Sequence, residues 1–254
     1  MGFNSWWRFS SWRSWISVGS RITMNDPGPI PPFLDRTRLI HSYSGLSCYE
    51  NVCPHQYYHT YILKTVPYVE TPERKRGNDA HAALDKRISA GVPLPPDMAQ
   101  WEPFAMSFDG LGAKAELKLA ITASGTTVDY WSKQDAWLRG RVDVAVVNGT
   151  SAYILDWKTG NSKYEDKLEI GVYAMLLHAA NPQLTSIKGT YAWLKDNRLG
   201  QSYDLSDTRT TWNKVNAIVK NIERDRARGE FEKREGPLCG WCDVRSCEHR
   251  KERK

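Results

Sequence analysis

Several features are missing from this chain of 254 residues. It has no stretch of 18 apolar residues, which leaves no candidate for a membrane-spanning helix. Its first 24 residues contain no acid. Ser and Arg break up the apolar pairs around Trp6, Trp7, Trp12 and Trp15, so the continuous apolar core of an export signal is absent. There is no internal repeat, which argues against solenoids and propellers. Cysteine is sparse, with five residues, and without an export signal these are not expected to form disulfides. What remains is one full core, or one domain with a small appendage, in a chain that is 41% hydrophobic and 25% charged. Lys plus Arg number 35 against 29 acids, giving +6, a balance that favours polyanionic partners.

Composition divides the chain. Residues 1–38 read as a leader, either extra sequence ahead of a true start at Met24, a disordered tail, or an interfacial segment. The four prolines of residues 24–35 are an extended lead-in. Residues 39–100 read as a helical part. A helix starts near Ser42 or Ser44, breaks at Pro54, and resumes with the aromatic face Tyr57, Tyr58 and Tyr61. Ala80, Leu84 and Ile88 predict a helix from about Asn78 to Ile88, with His81 near its N-terminal end. The prolines at 93–96 predict a loop.

Residues 101–232 read as the core. Leu117, Leu119 and Ile121 alternate with Glu116, Lys118 and Ala120, which predicts a half-buried strand. Two further strands flank an Asn148-Gly149 turn, the plainest hairpin signal in the chain. A helix is expected over about Tyr164–Ala180, strands over Ile187–Leu194 and, more weakly, Ser202–Leu205, and a last helix over 212–228. This order of elements predicts one α/β core. Residues 233–254 hold a cysteine knuckle and a basic tail.

The hairpin carries the chemistry. With a two-residue turn at Asn148-Gly149, Val144 faces Tyr153 and Val142 faces Leu155, making one apolar face. With a turn of four residues, Asp143 faces Asp156 directly; a three-residue loop would break the arrangement, and the apolar matching argues against it. Both registers put Asp143, Asp156 and Lys158 on one face. Two carboxylates on adjacent strands repel unless a cation lies between them, and Mg²⁺ or Mn²⁺ suits carboxylate and water ligands. Lys158, one pleat from Asp156, is placed to orient an attacking water or to balance charge on a phosphoryl oxygen. The bland alternative is a solvated Asp/Lys pair on an edge strand. The cysteines supply a second pattern. Cys239 and Cys242 form a tight knuckle with Cys247 just beyond, giving three thiolates that want a fourth ligand for zinc or an iron–sulfur cluster.

Taken in order, Arg76-Gly77-Asn78-Asp79-Ala80-His81, Glu116, Gly140-Arg141-Val142-Asp143, Asp156-Trp157-Lys158 and Glu169-Ile170-Gly171-Val172-Tyr173 resemble the PD-(D/E)XK nuclease superfamily, in its RecB-like and Cas4-like branch. The resemblance runs over about residues 41–250. It implies a restriction-endonuclease-like α/β core, a central mixed sheet flanked by helices, with N- and C-terminal helical parts joined by a cysteine metal or Fe–S site. It implies His81 as a metal ligand beside Asp143 and Asp156, Glu116 at or near the ion, and Glu169 and Tyr173 on a helix face over the site. Glu169 departs from the family, which has Gln there. A carboxylate at that position repels phosphate unless it binds metal or pairs with a base such as Lys158. The resemblance also implies Cys53 as the fourth ligand of a [4Fe-4S] cluster with Cys239, Cys242 and Cys247. Zinc is the alternative occupant, and Cys48 or His249 the alternative ligand.

The function so implied is metal-dependent hydrolysis of DNA, as an exonuclease or end-processing enzyme in recombination, repair or replication. A branched- or flap-DNA endonuclease and a non-catalytic DNA-binding recombination subunit are the rivals. DNA contact would be independent of sequence, with Arg141 near the backbone. A helicase, single-strand-binding protein or recombinase is the expected kind of partner, no membrane is expected, and the setting would be the cytoplasm of a bacterial or phage-infected cell.

Overall fold

The computed structural model describes residues 38–160 and 165–251. The expectations for residues 1–37, for Tyr164 at an expected helix start and for residues 252–254 of the basic tail lie outside the described residues. The N-terminal part opens with helix α1 (Tyr43–Ser47), where the Ser42 hydroxyl accepts the Gly45 N–H. It continues through a π-turn at Cys48–Val52. Pro54 then starts α2 (Pro54–Tyr57), followed by a second π-turn at Tyr58–Ile62. The break at Pro54 is as expected, because proline suits the first helical position and breaks the one before it.

Helix α3 (Pro72–Ala90) begins earlier than its apolar spacing suggested. Thr71 Oγ1 accepts the Arg74 N–H and Pro72 takes the first position, so the exposed basic run Arg74–Arg76 lies within the helix, across its first and second turns. His81 therefore sits in mid-helix and not near its start. After a 3₁₀ stretch at Pro96–Trp101 comes the short α4 (Glu102–Met106). The prolines at 93–95 form the expected loop, and Pro96 starts the 3₁₀ turn.

The sheet is built from β1 (Lys114–Ile121), β2 (Thr127–Val128), β3 (Leu138–Asn148), β4 (Ser151–Lys158), β5 (Ser186–Trp193), β6 (Arg198–Leu199) and β7 (Tyr203–Asp204). Its order is β2-β1-β3-β4-β5-β6, with β7 also on β5. The β1–β3 and β3–β4 pairs are antiparallel and β4–β5 is parallel, so the sheet is mixed. The crossover between β4 and β5 carries α5 (Lys167–Ala180), capped by Asp166, and α6 (Thr208–Arg228) packs beside it. Helices α5 and α6 cover one face. Helix α3 and Trp101, Phe104, Ala105 and Phe108 cover part of the other. This is the helix-flanked α/β arrangement expected of a restriction-endonuclease-like core.

The hairpin register corrects the sequence reading. Asn148 pairs with Ser151 and Val144 with Leu155, so the turn is Gly149-Thr150. Gly149 has φ 58°, which suits the first central position of a two-residue turn. The register is thus the one expected of a four-residue turn, reached instead by a two-residue turn one position further on, and the ladder ends just before Asp143 and Asp156. The apolar face is also not continuous. Val142 packs in the α5 layer and Val144 in the α3 layer. The pleat changes sides at Asp143, and the paired ladder of β3 and β4 stops at Val144–Leu155.

Candidate active site

The two strands part beyond Val144 and Leu155, and the site occupies that fork. The Asp143 carboxylate fills part of the gap, with Oδ2 accepting the Trp157 backbone N–H at 2.8 Å. A side chain thus satisfies a buried amide that the ladder no longer serves. Asp143 Oδ1 lies 3.2 Å from His81 Nδ1, and the same nitrogen is 3.8 Å from Glu116 Oε1. Glu116 Oε2 meets Arg141 Nε at 2.6 Å. Glu116 has φ 50° inside a strand, a conformation that costs energy for a non-glycine residue and that clusters at functional sites. Among the described residues, His81, Glu116 and Asp143 form a group whose ligand atoms all lie within 4.8 Å of one another.

On the α5 side stand Asp156, Lys158, Glu169 and Tyr173. Lys158 Nζ is 2.8 Å from Asp156 Oδ2 and 2.7 Å from Glu169 Oε2. The Asp156 contact is an ion pair lying off the hydrogen-bond direction, so this buried oxygen lacks an aligned donor. Lys158 also lies 5.4 Å from the centre of the Tyr191 ring, a cation–π contact. Tyr173 follows Glu169 by one turn on the same helix face and packs over Gly140. A Cβ at Gly140 would come 2.8 Å from Leu176 Cδ1, so glycine is what lets α5 approach β3 here.

The electrostatics follow from burial and crowding. Burial and then the Asp143 charge push the Asp156 carboxyl well above the ordinary carboxylate range. Burial opposes charge on Lys158, but Asp156 and Glu169 outweigh it and hold the ammonium above the usual lysine value. Burial raises Glu169, against the pull of Lys158. For His81, burial lowers the pKa, but hydrogen bonds to Asp143 and Glu116 overcome it and raise the value to about 10. Burial also raises Tyr173, helped by the neighbouring carboxylates. The four carboxyl groups of the centre face three cationic partners, His81, Lys158 and Arg141. Carboxylates around an imidazole, with a buried oxygen lacking an aligned donor, fit a hard divalent ion.

In a second region, Cys53, Cys239, Cys242 and Cys247 line one cavity of about 250 Å³ together with His249. The Arg234 and Gly236 backbone N–H groups approach Cys53 Sγ and Cys239 Sγ, each at 3.4 Å. Burial, then Cys53 and Cys242, push the Cys48 thiol up to about 12, and Cys48 packs against the core cluster of α1, α5 and α6.

The structure also gives roles to groups that sequence reasoning passed over. The Trp157 amide anchors Asp143, and the Tyr191 ring lies under Lys158. Tyr191 is the β5 partner of Asp156, but in the sequence it is one aromatic in one strand.

An α/β fold with two carboxylates and a lysine at the fork of a central hairpin defines a class of phosphodiester-cutting domains. The family profile of the PD-(D/E)XK nuclease superfamily matches residues 41–247, and the chain belongs to that superfamily. No curated protein matches it. A solved structure from Eubacterium rectale, described as "Putative exonuclease", is 13% identical with a TM-score of 0.50, covering 84% of this chain and 91% of that one. A second, of SSO0001, is 12% identical with a TM-score of 0.39, covering 84% and 87%.

Proposed function

We propose that the protein is a divalent-metal-dependent deoxyribonuclease of the RecB-like and Cas4-like branch that hydrolyses phosphodiester bonds, acting as an exonuclease or on DNA ends. The observation that carries this reading is the convergence of His81, Glu116 and Asp143 beside the Asp156–Lys158 pair. Asp143 and Asp156 would hold Mg²⁺ or Mn²⁺, with His81 and Glu116 completing the set. Such an ion supplies Lewis acidity at a phosphoryl oxygen and favours hydroxide over water near neutral pH. Lys158, kept charged by Asp156 and Glu169, orients the attacking water and offsets charge on the phosphate. Tyr173 and Glu169 hold one wall of the cleft. DNA contact is independent of sequence and falls with salt. The exonuclease reading agrees with the description of the Eubacterium rectale structure, whose likeness is one of fold.

The cysteine end is proposed to hold a [4Fe-4S] cluster on Cys53, Cys239, Cys242 and Cys247. A tetrahedral zinc site needs sulfurs about 3.8 Å apart, from Zn–S bonds of about 2.3 Å. A [4Fe-4S] cluster holds its thiolates further apart, and four cysteines lining one cavity suit either occupant. A helicase, single-strand-binding protein or recombinase as partner, and action in the cytoplasm of a bacterial or phage-infected cell, belong to the same proposal.

The test is cleavage of end-labelled linear DNA, single- and double-stranded, with Mg²⁺ or Mn²⁺, on protein purified without air. Asp156→Ala and Lys158→Ala should each abolish it. An unchanged rate in Lys158→Ala would overturn the nuclease reading. Cutting of a closed circle would replace the exonuclease with an endonuclease. The pairing of Glu169 with Lys158 supports a second reading, a binding subunit without turnover, and folded, cofactor-loaded protein that fails to cut would favour it.

A further inference from the structure

The face of β1 and β3 that leads away from the metal-ligand group carries basic side chains and an aromatic platform. Lys118 and Arg141 are direct partners on the two strands, and Ala120 is the partner of Arg139. Lys118 and Arg141 are exposed, Arg139 is half-buried, and Arg141 reaches back to Glu116 of the centre. Where β2 returns to β3, the loop holds Tyr130 and Trp131 edge to face, with centroids 4.9 Å apart. Trp131 is 64% exposed, an unusual place for the largest apolar side chain. Lys118 Nζ lies 5.3 Å from its ring centre, and the Arg139 guanidinium 5.3 Å from that of Tyr130.

The loop is pre-ordered. Asp129 Oδ1 accepts the Trp131 N–H at 2.8 Å, and Ser132 Oγ bonds both the Asp135 carboxylate and the Asp135 N–H at 3.0 Å. Its two acids are thereby engaged in holding the turn, and the ring is presented without much further ordering. Lys118 and Glu116 are one two-residue step apart on β1, about 7 Å. That is on the order of two nucleotide rises along one strand.

We propose that Trp131, with Tyr130, Lys118 and Arg139, is a stacking platform for unpaired bases, which selects single-stranded DNA or a frayed single-stranded end and leads it to the centre. An exposed indole flanked by cations offers one π-face and charges for the backbone, the combination that binds single strands without reading sequence. In duplex DNA the bases are already stacked and, away from the terminal pairs, offer no free face. The inference rests on the nuclease reading and names the strand that the site would take.

Binding can be tested apart from cleavage. The full-length protein, with its cysteine-site cofactor intact and in magnesium-free buffer, is titrated into fluorescein-labelled oligothymidylate and into a blunt duplex of equal length, reading anisotropy. Trp131→Ala should weaken single-strand binding by about tenfold and change duplex binding less than about twofold, while Trp131→Phe keeps most of the affinity. Lys118→Ala should lower the salt slope on the single strand by about 0.7. Unchanged single-strand affinity in Trp131→Ala, or an equal loss on both DNAs, would overturn the platform. Such a failure would leave the nuclease reading intact, because that reading stands on Asp156→Ala and Lys158→Ala in the cleavage assay.

Discussion

Glu169→Gln removes one charge from the centre and almost nothing else. Its carboxylate lies 2.7 Å from Lys158 Nζ, and Asp156 lies on the same ammonium at 2.8 Å. At an effective dielectric near 20, the Glu169–Lys158 attraction is about 6 kcal/mol. Offsetting it are several kcal/mol for burying the carboxylate and its repulsion of Asp156. A glutamine keeps a hydrogen bond to Lys158, worth about 1 kcal/mol. Folding stability should therefore move by less than about 2 kcal/mol. The effect on substrate is larger. A phosphate oxygen hydrogen-bonded to the far side of Lys158 stands about 6 Å from that carboxylate, and the repulsion there is about 3 kcal/mol before screening. The variant should lower KM for DNA by about tenfold, less at high salt, and change kcat by less than about threefold. Steady-state cleavage of a labelled oligonucleotide at two ionic strengths measures both. A fall in kcat of about a hundredfold at unchanged KM would refute this, because it would mean that the Glu169 carboxylate itself takes part in the chemistry.

Four further outcomes are expected. His81 is protonated in the metal-free centre, so Mn²⁺ must displace a proton, and its apparent affinity should rise toward tenfold per pH unit between about pH 6 and 8; calorimetry that finds no proton release would exclude His81 as a ligand. His41 is buried, and burial followed by Arg226 and Arg38 lowers its pKa to about 4, so the folded state binds fewer protons than the unfolded one between about pH 6.5 and 4. Stability should fall by up to about 3 kcal/mol as pH drops through that window, and His41→Gln should flatten the fall in urea midpoints. Gly140→Ala drives a methyl against Leu176 and should cost about 1–3 kcal/mol in thermal or urea unfolding. If the proposed [4Fe-4S] cluster is present, the parent should carry about four irons per chain, and Cys239→Ser should lose them and lower the melting temperature by about 6 °C or more.

Much of the core was legible because its periods are plain. The apolar stripe Val215, Ile218, Val219 and Ile222 faces inward on α6, and the strands lie close to where alternation put them. What escaped was local turn chemistry and long-range contact. The Asn148-Gly149 pair suggested the commoner turn, yet the glycine takes the first central position, and the register shifts by one residue on each side. A strict period of two cannot reveal that the pleat changes sides at Asp143, because that change exists only where β3 and β4 part. The start of α3 was hidden by reading the apolar spacing ahead of the Thr71-Pro72 cap. The contact of His81 with Asp143 joins residues 62 positions apart and entered only through the family resemblance. The pairing of Glu169 with Lys158 was legible as a condition, since a carboxylate facing phosphate needs a cation, and the structure supplies Lys158.

The two candidate metal sites should respond in opposite ways to metal removal. At the hairpin fork, Asp143 and Glu116 meet His81, Glu116 also meets Arg141, and Asp156 and Glu169 share Lys158. Each carboxylate there has a cationic partner among the described residues, so removing a bound ion should cost activity and leave the fold. At the cysteine end Arg234, His249 and Arg250 line the cavity, but among the described residues no ion pair to a cysteine sulfur is seen. Its sulfurs meet backbone amides, and the cavity joins Cys53 to a knuckle 186 residues away in sequence. Closing so long a loop is entropically expensive, and a bound cluster is what would offset it. Magnesium removal should therefore leave the unfolding curve nearly unchanged, whereas oxidative loss of the proposed cluster should loosen α1, α2 and the C-terminal segment together. Hydrogen exchange reports this directly. Protection lost at the fork on magnesium removal, or kept at Cys53 and Cys239 after cluster loss, would contradict the division of one site for chemistry and one for closure.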